Sequence, residues 1–429
     1  MTTTSAASRQ HTLRERNLEL VARAVFEAPE PPSRAGVAAT TGLTRATVST
    51  LIDQLIGARL LRELPAVADG RAGRPAVPLV PAGRSVLGLG LEVNVDYLGA
   101  RAIDLTGAVV AERVVPGAFH DSDPAEVLGE LGRIANDIAR DTHDRGMRLA
   151  GARLALPGLV DARAGVLDVA PNLGWSSVAP VPLLGLAGLP VEIANEAKLA
   201  ALAELGGPGP AGAGAAIPDS FLYVSGDVGI GAAIVVGREL FLGERGWNGE
   251  VGHVVVDPAG PRCSCGARGC LEQFAGKEAL AGAAGLAADA PLADLLALLG
   301  APRPTTADAG GDPAASDADP PTTAHTGLDS PASRAAADAA VRRAGQALGS
   351  ALADFVNLVD VHTVVLGGIY TDLLPWLRPE VESVLAERVL AAPFVELEVR
   401  SARAGAQAAL TGGAHEVLRA VLAAPAAWT

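Results

Sequence analysis

All three cysteines of this 429-residue chain, Cys263, Cys265 and Cys270, fall within eight positions. His253 lies ten residues before the first of them. Three thiolates and one imidazole complete a tetrahedral zinc shell and leave no position for water or substrate. The spacing therefore predicts one structural zinc per chain, held by His253, Cys263, Cys265 and Cys270. Gly266 and Gly269 allow the loop to turn tightly enough for the thiolates to converge. The competing reading, three free thiols beside an unrelated histidine, leaves their clustering unexplained.

A second set of residues lies near the N-terminus. A helix-turn-helix needs a small residue where its two helices cross, a glycine where the turn takes positive φ, and apolar residues to hold the second helix down. Ala38, Gly42, Val48 and Leu51 have those separations. Thr44 caps the second helix of the pair, whose outer face then carries Arg45, Thr47, Thr50 and Gln54. These are hydrogen-bonding side chains suited to a major groove. Arg71 and Arg74 stand at the tip of a following loop, as in a wing that meets phosphates or the minor groove. A helical hairpin used only for packing is the plainer alternative. The coincidence of a basic loop with the helix pair favours DNA.

Charge supports that division. The chain carries a net −14. Residues 1–80 hold ten arginines and seven acidic residues, so they are +3 and the remainder is −17. A small basic module on an acidic body reads as DNA binding by one end. Few cysteines, a polar start with no apolar signal core, and no apolar run of about 20 residues point to a cytosolic protein without a membrane span.

The elements that must position these groups follow from periodicity. Residues 13–26 read as a helix, with Leu18, Val21, Ala22 and Val25 on one face. Ser33 caps a short helix over 34–40. A third helix follows Thr44. Residues 60–64 and 76–80 read as the strands of the wing. Beyond Leu87, Gly-rich apolar strands (86–91, 99–103, 222–224, 232–236 and 364–366) alternate with Ala-rich helices such as 125–140, the texture of an α/β protein. Residues from about 301 to 333 are Pro, Ala, Asp, Thr and Gly, which reads as a flexible insertion. The expected division is a winged helix-turn-helix over 1–82 and a second domain over 86–429.

The run Gly249-Glu250-Val251-Gly252-His253, then Cys263-Ser264-Cys265-Gly266-Ala267-Arg268-Gly269-Cys270-Leu271-Glu272, resembles the signature of the ROK family of repressors and sugar kinases. Pro157-Gly158-Leu159-Val160-Asp161, Pro171-Asn172-Leu173-Gly174-Trp175, Asn195-Glu196 and Val365-Leu366-Gly367-Gly368 fall in the family's order. The resemblance implies a two-lobed, actin-like or hexokinase-like (ribonuclease H-like) fold with sugar bound in its cleft. It implies that Asn172, Asn195, Glu196, Glu250, His253 and Glu272 hold sugar hydroxyls. Members with an N-terminal winged helix resemble repressors of sugar-use genes, as dimers or dimers of dimers. The expected partners are therefore an inverted-repeat DNA operator and a monosaccharide or sugar phosphate.

The chain departs from the family's kinases at the phosphate loops. Their Gly-Gly-Thr turn is replaced within Leu89-Gly90-Leu91-Glu92-Val93-Asn94-Val95-Asp96, where Asn94 and Asp96 bring bulk and negative charge. In Ser225-Gly226-Asp227-Val228-Gly229-Ile230-Gly231, Val228 replaces a threonine. Glu196 stands at the position of the kinases' catalytic Asp, a carboxylate one methylene longer. The reading is a sugar-responsive repressor that has lost kinase chemistry. The runner-up is an ATP-dependent sugar kinase that also binds DNA.

Overall fold

The computed structural model describes residues 3–66, 76–207, 218–300 and 330–429, with side chains from Thr12 onward. Three helices open the chain: α1 (Thr3–Phe26), α2 (Arg34–Thr41) and α3 (Arg45–Gly57). α1 begins ten residues before the helix that the apolar stripe predicts. Ser33 accepts from the Gly36 N–H at 3.2 Å and starts α2. Gly42 ends α2 at φ 71°, and its N–H donates to the Ala38 carbonyl. Thr44 accepts from the Thr47 N–H at 3.2 Å and starts α3. β1 (Leu61–Glu63) and β2 (Leu79–Pro81) pair antiparallel. β2 therefore starts three residues later than residues 76–80 predict, just after Pro78, which has no N–H to give a ladder. The wing tip, with Arg71 and Arg74, and the expectations placed on it lie outside the described residues.

These elements do not have a core to themselves. Leu18, Val21, Phe26, Val48, Ile52 and Leu55 pack in one cluster with Val86, Ile103, Leu105, Leu418, Val421 and Leu422. The linker is stapled as well. Asp104, 1% exposed, accepts from the Arg84 N–H at 2.7 Å and from the N–H groups of Thr106 and Ala108.

The chain divides into two compact units. The first comprises Met1–Ile217, Leu242–Asn248 and Arg403–Thr429, and the second Pro218–Phe241 and Gly249–Ala402. The first unit continues with β3 (Val86–Val93), β4 (Tyr97–Asp104), β5 (Val109–Pro116), α4 (Pro124–Asp144), β6 (Arg148–Leu156), β7 (Leu159–Asp161), β8 (Val166–Ala170), β9 (Trp175–Val178), α5 (Pro180–Leu183), β10 (Val191–Asn195) and α6 (Glu196–Glu204). Its main sheet runs β10-β6-β3-β4-β5, and β7-β8-β9 form a smaller one. β3 is central and buried along its whole length, which explains an apolar run with no alternation.

The second unit holds β11 (Phe221–Gly226), β12 (Ile230–Val236), β13 (Glu239–Phe241), α7 (Glu272–Ala275), α8 (Lys277–Ala283), α9 (Leu292–Leu299), α10 (Pro331–Val359), β14 (Thr363–Gly368), α11 (Ile369–Arg388) and β15 (Glu398–Ser401). Its sheet order is β13-β12-β11-β14-β15. Leu348, Leu352, Tyr370, Leu377 and Val381, from α10 and α11, share one core with Leu222, Val224 and Leu366 of the sheet. α12 (Ala408–Ala423) returns to the first unit. The insertion expected over 301–333 lies outside the described residues as far as 329. Its last residues differ from expectation: Ser330 caps α10, and 331–333 form its first turn.

Candidate metal, effector and nucleic-acid sites

The four expected metal ligands converge. One ligand atom from each of His253, Cys263, Cys265 and Cys270 lies within 4.8 Å of all the others. Cys265 Sγ and Cys270 Sγ are 3.7 Å apart, and Cys263 Sγ is 3.8 Å from His253 Nδ1. A tetrahedral centre with metal–sulfur bonds of about 2.3 Å sets its sulfurs roughly 3.8 Å apart, so the group fits. The loop is tied by backbone bonds: Cys263 N–H to the Ala267 carbonyl at 2.9 Å, and Gly269 N–H to the Pro261 carbonyl at 2.8 Å. Gly269 is compulsory, because a Cβ there would lie 1.5 Å from the Asp257 carbonyl oxygen. The backbone N–H of Ala267 lowers the Cys265 thiol below its ordinary range. Burial pushes Cys270 up to about 12. A divalent cation offsets that cost by taking the thiolates as ligands.

The residues expected to hold sugar are split between the units. In the second, Glu250 introduces the short turn Val251–His253. Because Nδ1 of His253 faces Cys263, Nε2 is the nitrogen left for another partner. Glu272 opens α7, and its carboxyl is raised by burial against the pull of His253 and the Ile230 N–H. A Cβ on Gly252 would lie 3.3 Å from Glu272 Oε2, which places that carboxylate beside the Glu250–His253 turn. In the first unit, Asn172 is half-buried in the turn Pro171–Leu173. Asn195 caps α6: its oxygen accepts from the N–H groups of Ala197 and Lys198, and its amide donates to the Gly158 carbonyl at 3.0 Å. One amide hydrogen remains by inventory. Glu196 follows in the first turn of α6.

The stretch in place of the first phosphate turn is closed on itself. Asn94 accepts from the Asp96 N–H at 3.0 Å, and the Asn94 N–H donates to the Tyr97 carbonyl at 3.0 Å. Two backbone donors of that turn are thus already spent. In the second loop the Asp227 N–H donates to the Gly229 carbonyl at 2.8 Å.

On α3, Val48, Leu51, Ile52 and Leu55 are buried, which leaves Arg45 and Thr50 exposed and Thr47 and Gln54 half-buried. Thr44 and Thr47 share a hydroxyl contact at 2.9 Å, and Thr50 donates to the Ala46 carbonyl. Arg45 is thus the exposed cation of this face. Arg34, which the sequence reading passed over, bonds Glu63 and the Ser49 carbonyl and pairs with Asp53 at 2.7 Å. It locks α2, α3 and β1 together.

The ROK family description matches residues 89–419. This chain belongs to the ROK family. It is 34% identical over 254 residues to a putative xylose repressor of Caldicellulosiruptor sp. (strain Rt8B.4), covering 58% of this chain and 61% of that protein. The chain thus spans about three fifths of that curated relative. A crystal structure of a ROK family transcriptional regulator, a homologue of the E. coli MLC protein, aligns with a TM-score of 0.71 at 25% identity over 96% of this chain and 97% of that one. A ROK hexokinase from Thermus thermophilus aligns at 0.57 with 28% identity over 78% of this chain and 99% of that one. The fold is therefore mixed α/β of the actin-like, hexokinase-like kind, and the N-terminal helices with β1 and β2 fit a winged helix-turn-helix.

Besides Arg34, sequence reasoning missed three groups in the first unit of this ROK protein. Lys198 is 5% exposed and donates to the Gly246 carbonyl. Trp247 Nε1 and Asp168 Oδ2 are buried atoms without a hydrogen-bond partner among the described residues. Only Lys198 gave a sequence signal, three residues beyond Asn195 on one helical face.

Proposed function

We propose that this ROK protein is a sugar-responsive DNA-binding transcriptional repressor. Residues 1–82 read an inverted-repeat operator as a homodimer or dimer of dimers, and residues 86–429 bind the sugar. The observation that carries the reading is the likeness to a ROK transcriptional regulator over 96% of the chain, winged helix included. The kinase likeness stops at 78%. Asn172, Asn195, Glu196, Glu250, His253 and Glu272 hold sugar hydroxyls, since carboxylates and amides each take two. Zinc held by His253, Cys263, Cys265 and Cys270 contributes folding energy and fixes the tautomer and aim of His253. On this reading the protein works in the cytoplasm, where DNA is found and thiols stay reduced.

One observation keeps the kinase as a second reading: Glu196 retains a carboxylate where the kinases' catalytic Asp stands. The closed Asn94 turn speaks against it, because phosphate needs those N–H groups. The test is full-length protein selected on random duplex DNA, then titrated with monosaccharides. Enrichment of an inverted repeat whose affinity changes with one sugar is expected, and Glu250→Ala should keep the operator and lose the response. By linkage, that sugar's own affinity must change equally when DNA is bound. Absence of a selected site, or sugar phosphorylation at roughly 1 per second or faster, overturns the proposal.

A further inference from the structure

We infer that Lys198 and Glu204 are positioning residues of the sugar response, which fasten α6 to segments where the chain passes between its two units. The inference rests on the sugar-binding reading above and adds the residues through which binding is transmitted.

The chain crosses between the units after Ile217, Phe241, Asn248 and Ala402. Within the first unit, α6 and the turn after it hold the chain beside these crossings. Lys198 Nζ donates to the Gly246 carbonyl, inside the short segment that lies between the second crossing and the third. Glu204 Oε1 accepts from the N–H groups of Arg403 and Ala404, both at 2.8 Å, where the chain re-enters the first unit. Arg419 of α12 donates to the Leu202 carbonyl at 3.0 Å and to the Gly206 carbonyl, on the stretch that leads to the first crossing.

The same helix begins with two of the proposed sugar residues. Asn195 caps it and Glu196 opens it. Asn195 Oδ1 accepts from the Lys198 N–H at 3.3 Å, so a sugar ligand is bonded to the residue that grips Gly246. Nine helical residues span about 13 Å and shift as one piece. A Cβ on Gly412 of α12 would lie 1.7 Å from the Leu199 carbonyl oxygen, so α6 and α12 touch backbone to backbone. Leu418, Val421 and Leu422 of α12 share the core of α1 and α3. Stability alone does not account for Lys198 and Glu204. Every residue of α6 after Glu196 is buried, with Lys198 5% and Glu204 3% exposed. Desolvating a charge is costly, and apolar residues of similar volume often fill such places without loss. Here both charges hold backbone beside crossings. A conformational change concentrates at a few such positions when the elements on either side are held firm. Sugar on Asn195 and Glu196 thus acts on the crossings through α6, and on the N-terminal helices through α12. Without the anchors, sugar and DNA each still bind, and neither alters the other.

The test uses the full chain, its selected operator duplex, and titration with D-xylose, D-glucose and N-acetylglucosamine. The quantity read is the coupling, the ratio of sugar affinities with and without operator, expected at about 5–150 in the parent. Glu204→Ala removes the acceptor at the re-entry. Lys198→Met keeps the apolar stem and removes the grip on Gly246. Each variant should bind sugar alone and operator alone within about threefold of the parent, with the coupling reduced to about 1. Glu204→Gln retains an acceptor oxygen and should restore the coupling. A merely structural role would lower the melting temperature and leave the ratio as it was. Parental coupling in either folded variant overturns the inference and leaves the sugar-binding reading standing. Loss of sugar binding itself in a folded variant also overturns it, by placing that residue in the sugar site. If one variant fails to fold, the other decides; if both fail, the anchors are structural and the inference falls. A parent that shows no coupling with any of the three sugars sinks the sugar-responsive reading, and this inference with it.

Discussion

Cys265 is the exposed member of the metal group, whereas Cys263 and Cys270 are buried. Serine at 265 therefore adds no packing defect, and its effect reports ligation alone. Cys265→Ser is expected to lower bound zinc from one per chain and to lower the melting temperature, because metal binding here is folding energy. Metal analysis beside a thermal melt checks both. Full zinc content or an unchanged melt in the variant rules out the ligand set. The centre was legible at this scale because four metal-ligating side chains, three thiols and one imidazole, within eighteen positions can do little else together. The burial of Lys198, and of the single atoms Trp247 Nε1 and Asp168 Oδ2, was not legible. Lys198 is held by the Gly246 carbonyl, 48 residues further along the chain, a partner that its helix does not announce.

At the scale of elements, α3 separates two functions by residue. Arg45→Ala should weaken specific operator binding by about 1–3 kcal/mol if it reads a base, with the melting temperature unchanged. Thr44→Ala removes the cap on the Thr47 N–H and should cost about 0.5–2 kcal/mol of stability. Binding titrations and denaturant melts distinguish the two. Equal loss of stability in both variants would mean that Arg45 is structural. The three N-terminal helices could be read from apolar spacing and caps, since both signals are local. The beginning of α1 could not, because residues 3–12 carry no apolar stripe. β2 was placed early because residues 76–80 look strand-like, and Pro78 moves the ladder past itself.

At the scale of the whole molecule, α12 should contribute an acid sensitivity of its own, separate from loss of metal at the cysteine–histidine group. His415 is buried beside Arg419 and Arg101, and burial first, then those charges, lowers it from 6.5 to about 4. The folded protein thus prefers it neutral. Its contribution is fully present above pH 6.5 and is lost as pH falls towards 4, by up to about 1.4 kcal/mol per pH unit. Glu416, raised by burial, has the opposite sign: its contribution is present below about 4.5 and lost as pH rises through its folded value. His415→Phe should therefore flatten the melting temperature between pH 6.5 and 4 and leave it unchanged at pH 8. A variant as acid-sensitive as the parent assigns the slope elsewhere. The sheet order and the split into units were not legible, because they depend on pairing between strands over a hundred residues apart, such as β11 and β14.

The shared core of α1, α3 and α12 fixes an order of events at the ribosome. Leu18 and Phe26 are made about 400 residues before Leu418, Val421 and Leu422, with which they share this core. At about 5–20 residues per second, the N-terminal helices wait roughly 20–80 seconds for the surface that completes their core. Throughout that interval the nascent chain presents them half-covered. On the proposed reading, DNA recognition therefore waits on α12, although the helices that would carry it are made long before.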